Sequence, residues 1–304
     1  MEFHNHYNPL PSRGKQSAIR LLNLEPGQTS DPIICQLGTV PLNEDEVARD
    51  HVTYDAVSYA WGLELPRHEI TLGAWPVLVR DNLWQFLKQM RNSTEQAPLW
   101  IDALCIDQSN WDERASQVQV MDRIFRGARK TIVWLGEADD DGVTAMNLIR
   151  TIAEKPAQLT KLTEHVQYSL LKWSRRSYWS RTWVVQEFLL AREIVLECGS
   201  VQLNWRDIYK FLKILESSRI TGGESNMWTA FRTTPAYLLI LQRASHDNLR
   251  APLSELLIRN QHTDCTLPHD KVFAVLGLLG DIERGRKIRV NYTGLQNLCT
   301  RACA

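Results

Sequence analysis

No stretch of this chain approaches 18 uninterrupted apolar residues, so nothing in it reads as a membrane span. A surplus of either charge is also missing: Lys+Arg and Asp+Glu are each 35, and the formal net charge is zero. Phosphate backbones are gripped by clustered positive charge, so the expectation is no nucleic-acid partner. Cysteine is sparse, six in 304 residues and widely scattered, which suits reduced thiols rather than a disulfide scaffold. The opening MEFHNHYNPLPSRGKQ lacks the apolar core of a signal peptide. A Gly-x-Ser-x-Gly elbow, a Gly-x-Gly-x-x-Gly loop and a Walker lysine are all absent, so a hydrolase of the α/β type and a redox enzyme have little support. These absences leave a soluble, cytoplasmic protein as the expectation.

The hydrophobic share of 44% and charged share of 23% are those of an ordinary globular chain, long enough for one large domain or two modest ones. Two spacings invite a metal reading, His262-x-x-Cys265-x-x-x-His269 and Cys299-x-x-x-Cys303, but no second well-spaced pair accompanies either. Asp102, Asp107 and Asp112 stand five apart, yet the first two straddle a strand end and the third suits a helix start. No metal is expected.

Residues 1–17 read as a loose polar arm. Apolar runs then alternate with helical patterns: strands at 18–24, 32–37, 52–61, 99–106, 131–136 and 193–199, and a hairpin over 69–79 turning at Gly73-Ala74-Trp75-Pro76. Asn43 to Asp50 reads as a loop or short helix. Helices are expected at 81–91, 112–128, 141–154, 157–175 and 180–191. Such alternation predicts an α/β fold, a mostly parallel sheet flanked by helices, over 18–203. From 204 to 304 the pattern is all helix, expected to pack on the sheet domain as a C-terminal extension. The chain stops at Cys299–Ala304 without a helix-capping signal, which reads as part of something longer.

Nine of eleven tryptophans fall between Trp61 and Trp183. Trp100 and Trp134 sit inside apolar strands, as core residues do. Trp61 and Trp179 lie at element ends, where a ring suits stacking on a flat ligand. In an open parallel sheet the ligand crevice lies beyond the carboxyl ends of the strands. There the sequence puts Ser58, Tyr59, Trp61 and Gly62, and next Asp102, Cys105 and Asp107. Glu187 follows, on the helical face of Trp183 and Ser180 and wrapped in apolar neighbours. Such a carboxylate either pairs with Arg181 or Arg192, or faces the crevice with its pKa raised by desolvation. Cys105 has no nearby histidine to activate it as a nucleophile.

Three ordered segments carry a resemblance: Tyr54-Asp55-Ala56-Val57-Ser58-Tyr59-Ala60-Trp61-Gly62; Leu99 to Gln108 continuing through Glu113, Arg114, Gln117, Val118 and Met121 to Val133-Trp134-Leu135-Gly136; and Tyr178-Trp179-Ser180-Arg181-Thr182-Trp183-Val184-Val185-Gln186-Glu187, ending at Cys198-Gly199. They resemble the signature blocks of the fungal heterokaryon-incompatibility (HET) domain, and His269 to Leu278 resembles a segment that follows it. The resemblance implies a role in non-self recognition and programmed cell death. It also implies a likeness to TIR domains, which have a flavodoxin-like fold and in many cases cleave NAD+ with a single glutamate in a Ser-x-Trp-Cys-x-x-Glu pattern. Trp183 to Glu187 keeps that spacing of four, while Ser180 stands three residues before Trp183 rather than two and Val184 replaces the cysteine.

By that resemblance Glu187 is the catalytic residue and NAD+ the substrate, with no tightly bound cofactor. Trp61, Tyr59 or Trp179 would stack a flat ring, and Arg181 or Arg114 would pair with a phosphate. Ser58, Gly62, Asp102, Asp107 and Trp183 complete the expected substrate site. A homo-oligomer and an incompatibility partner protein are the implied partners. The competing reading is a non-catalytic death module that acts by self-association or partner binding.

Overall fold

The structure, a computed structural model, describes residues 7–10, 17–28, 30–42, 52–91, 97–217, 226–245, 250–280 and 288–292. The readings placed on the first six residues, on 43–50, and on Cys299 and Cys303 lie outside these. Nine strands form one sheet: β1 (Ser17–Leu24), β2 (Ile34–Leu42), β3 (Asp55–Tyr59), β4 (His68–Leu72), β5 (Trp75–Val79), β6 (Leu99–Trp100), β7 (Thr131–Trp134), β8 (Ile194–Cys198) and β9 (Val201–Asn204). Their spatial order is β5-β4-β2-β1-β6-β3-β7-β8-β9.

The expected parallel sheet is its centre. β6, β3, β7 and β8 run parallel, and numbered among themselves they lie in the doubly wound order 2-1-3-4. β3 and β7 are buried at every residue, which is why they read as unbroken apolar runs. Antiparallel hairpins close both sides: β1 with β2 over eight residue pairs, and β8 with β9. β9 was missed because its four residues, Val-Gln-Leu-Asn, are too short to show alternation beyond one turn.

Thirteen helices complete the described chain: α1 (Asp81–Met90), α2 (Asp102–Cys105), α3 (Trp111–Val118), α4 (Met121–Gly127), α5 (Asp140–Glu154), α6 (Glu164–Ser174), α7 (Ser177–Ser180), α8 (Thr182–Leu189), α9 (Trp205–Ser217), α10 (Asn226–Arg232), α11 (Pro235–Ala244), α12 (Leu253–Arg259) and α13 (Asp270–Phe273). Among the described residues no helix is long and apolar enough to cross a membrane.

Two expectations need correction. The strand expected over 99–106 ends at Trp100, because β3 offers it partners only at Asp55 and Ala56. Asp102 then accepts a hydrogen bond from the Ala103 amide (2.8 Å) and opens a helical turn. The helix expected from 180 starts at Thr182 instead: Arg181 is extended (φ −68°, ψ 132°) and bridges to Asp264, which removes Ser180 from the Glu187 face.

The helices after Asn204 hold α8 in place. Arg243 of α11 donates to the carbonyls of Phe188 (2.7 Å) and Ala191 (2.8 Å), so a buried cation meets the negative end of the α8 dipole. Burial without a carboxylate partner lowers its pKa to about 10. On the other flank Gln186 Oε1 accepts from the Gly277 amide (3.0 Å), and Thr182 N donates to Asp264 O (2.9 Å). Gly277 is required there: a Cβ would stand 2.4 Å from Asp122 Cβ and 2.7 Å from Gln186 Oε1.

Candidate functional site

β3 brings Ser58 and Tyr59 to the carboxyl edge of the sheet, and α8 carries Glu187 against them. Glu187 is 3% exposed. Ser58 Oγ donates a short hydrogen bond to Glu187 Oε2. Its own oxygen lies 2.9 Å from the Tyr178 hydroxyl. Because Ser58 spends its single proton on the carboxylate, Tyr178 is the donor in that second bond. The result is a directed chain, Tyr178 to Ser58 to Glu187, closed off from water.

Burial raises the Glu187 carboxyl to about 7; the Arg181 guanidinium pulls the other way, the Asp102 carboxylate adds to the rise, and the Ser58 hydrogen bond opposes it. Glu187 is therefore poised near neutrality without an ion pair, a third outcome beside the two weighed from sequence. Arg181 is committed elsewhere, donating to the Tyr59 carbonyl.

Asp102, half-buried, accepts from the Trp61 indole N–H at 3.1 and 3.3 Å, and burial raises its carboxyl against the pull of Arg181. Trp61 is half-buried, with the Arg80 guanidinium 5.8 Å from its ring centroid. Gly62 follows at φ +78°, a left-handed conformation that glycine adopts without strain.

Other expected site residues sit apart from this group. Trp179 is core: it is 1% exposed, packs edge-on against Trp173, Tyr178 and Phe188, and its N–H donates to the Trp173 carbonyl (3.0 Å). Asp107 holds a turn, accepting from Ser109 N (3.0 Å) and Oγ (2.6 Å). Arg114 covers the Tyr292 ring at 4.4 Å, and Trp183 donates to Asp270 (3.3 Å), which also accepts from Tyr292 (2.8 Å). Cys105 is fully buried and its thiol is pushed up to about 12, so it is no thiolate at neutral pH.

A cavity of about 430 Å³ opens on the opposite side of β3, between the carboxyl ends of β3 and β7. Asn82 ties the two strand ends there, donating to the Ala60 carbonyl (2.6 Å) and accepting from the Trp134 indole (2.8 Å). Tyr178 is among the cavity's lining residues, so it stands between that space and Ser58. Sequence reasoning passed over Tyr178 and Asn82. Tyr178 lies three residues before Arg181 in the third block, so it was within reach; Asn82 reads as an ordinary first-turn residue of α1 and gave no signal.

Residues 54–187 match the family described as heterokaryon incompatibility protein (HET). Residues 54–187 of the chain thus carry the HET domain match. The match begins at the residue before β3 and ends at Glu187 itself. The chain is also similar to heterokaryon incompatibility protein 6, OR allele, of Neurospora crassa, 25% identical over an alignment that covers 94% of this chain and 51% of that protein. The chain thus spans about half the length of that curated relative. No solved structure matches it significantly.

Proposed function

We propose that this protein acts in fungal heterokaryon incompatibility as a cell-death effector, and that its chemistry is hydrolysis of NAD+ in the cytoplasm at Glu187. The role in incompatibility draws on the family match and on the name of the Neurospora relative. The chemistry draws on one observation, a carboxyl buried at the carboxyl edge of the sheet and held by the Ser58 hydroxyl, where burial raises its pKa to about 7. In the reaction the C1′–N bond of the nicotinamide riboside breaks and its electron pair returns to the pyridinium nitrogen. Nicotinamide leaves neutral, so no general acid is needed, unlike ordinary glycoside hydrolysis with its two carboxylates. Ionised Glu187 stabilises the oxocarbenium-like ribosyl centre, water adds to C1′, and the water's proton passes to solvent. Trp61 supplies a ring for stacking. Because Glu187 is sealed beneath Ser58 and Tyr178, turnover requires that cover to move, and self-association or an incompatibility partner protein provides the trigger.

That same sealing favours a second reading, a non-catalytic module in which the buried chain of hydroxyls is structural. Released nicotinamide measured at high protein concentration, for wild type beside Glu187→Gln, separates the two. Release from wild type alone is expected. No release from wild type, under conditions where the protein is shown to self-associate, overturns the enzymatic reading and leaves the signalling module.

A further inference from the structure

The expected ligand contacts, Trp61, Asp102 and Arg181, all lie on the β6 side of β3. The only topological reversal in the parallel part of the sheet lies on the other side. The chain proceeds from β3 outward to β6 in one direction, then returns to place β7 on the opposite flank of β3. At such a reversal the two connecting segments leave in opposite directions and open a crevice between the strand ends. Here both strands end in a left-handed glycine shortly after the last paired residue, Gly62 at φ +78° and Gly136 at φ +104°. Between them lies the cavity of about 430 Å³, a size that admits a small organic ligand.

Its polar lining is of two kinds. Asp139 and Asp141 are acceptors for hydroxyl groups; Lys172 and Arg176 are donors for phosphoryl oxygens. Arg176 is fixed in place, donating to the Leu135 carbonyl (2.7 Å) and paired with Asp139. Asp141 accepts from Ser169 Oγ (2.7 Å), which leaves capacity on the carboxylate for further donors. Lys172 is exposed, its ammonium 5.2 Å from the Tyr168 ring centroid. A purely anionic ligand meets repulsion from the two aspartates, and a cationic one from Lys172 and Arg176. A ligand that carries both hydroxyls and a phosphoryl group satisfies both sets.

We propose that this cavity is a binding site for a ribosyl phosphate group. The proposal rests on the NAD+ reading for the identity of the whole nucleotide, and names where its sugar-phosphate portion sits.

Calorimetric titration of ADP-ribose, which is not turned over, tests the site independently of catalysis. Lys172→Glu reverses an exposed charge at the rim, and Ser177→Tyr, at another exposed lining position, narrows the mouth; neither touches the core. The expectation is saturable binding by wild type, weakened at least tenfold by each variant, with inorganic phosphate competing only weakly. Binding that both variants leave unchanged, or no binding by wild type, overturns the proposal. Lys172-dependent binding without nicotinamide release refutes the enzymatic reading while the site stands; release that is insensitive to both variants refutes the site while the enzyme stands.

Discussion

Asp55 and Glu187 are both buried acids packed against strand β3, one at the strand's first residue and the other against its fourth, and the protein treats them in opposite ways. Asp55 is 3% exposed and receives the Arg129 guanidinium in a two-point fork, at 2.9 and 2.8 Å, with Lys130 at 3.9 Å. Glu187, equally buried, has a serine hydroxyl for its hydrogen bond and a guanidinium that is turned to a backbone carbonyl. A fork of charge-assisted hydrogen bonds holds a carboxylate in one orientation and uses both its oxygens. Hydroxyl donors hold a carboxyl in place but leave its charge undecided. The amino end of β3 is built for a settled fold, and the carboxyl end keeps a group able to change state, the division of labour that open α/β sheets use at their strand ends.

Breaking the settled end has the larger expected effect. Arg129→Ala leaves Asp55 buried with only the more distant Lys130, and stability measured by urea unfolding at pH 7 should fall by about 3 kcal/mol. At the poised end the effect depends on pH. The folded-state pKa of Glu187 is raised, so the native state binds more protons than the unfolded chain between the ordinary value of 4.5 and about 7. Stability is therefore full below pH 4.5 and is lost as pH rises through 7, by roughly 3 kcal/mol from a shift of this size. Glu187→Gln removes this loss: over that range its unfolding free energy should decline by about 3 kcal/mol less than that of wild type, any remaining slope belonging to the other carboxyls that burial raises, Asp102 among them. A decline of the same size in both proteins would assign the slope to another group.

The smallest effect sharpens the comparison. Ser58→Ala deletes the donor to Glu187 and the acceptor of Tyr178, and should lower stability by about 1 to 2 kcal/mol. It also removes a contribution that lowers the Glu187 pKa, so the decline in stability should extend to higher pH than in wild type. An unchanged midpoint would mean that burial, Arg181 and Asp102 set the charge state without the serine.

The central parallel strands and Glu187's helix were legible because burial on both faces writes itself as apolar runs, and because a lone acid among Val184, Val185, Phe188 and Leu189 stands out. The place of Ser58, Tyr59 and Asp102 at strand ends was legible from the apolar runs that precede them. What was not legible depended on partners far away in sequence. Trp179 reads as an exposed ring at an element end, but α6 packs against it and supplies the carbonyl of Trp173, six residues back along the chain. Arg181 sits in what reads as helix, and only a backbone pairing with Asp264, 83 residues later, draws it into extended form. Arg243 gives no hint in its own helix that its partners are the last carbonyls of another.

Gly277, Asp264 and Arg243 all grip α8, yet all are made after it. On a ribosome the chain through Glu187 has emerged long before the groups that fix its helix, whose contacts span 52 to 91 residues. The helix that carries the acid is therefore fixed by groups made after it, and a chain interrupted before residue 277 holds the sequence of the site without the Gly277 contact to Gln186.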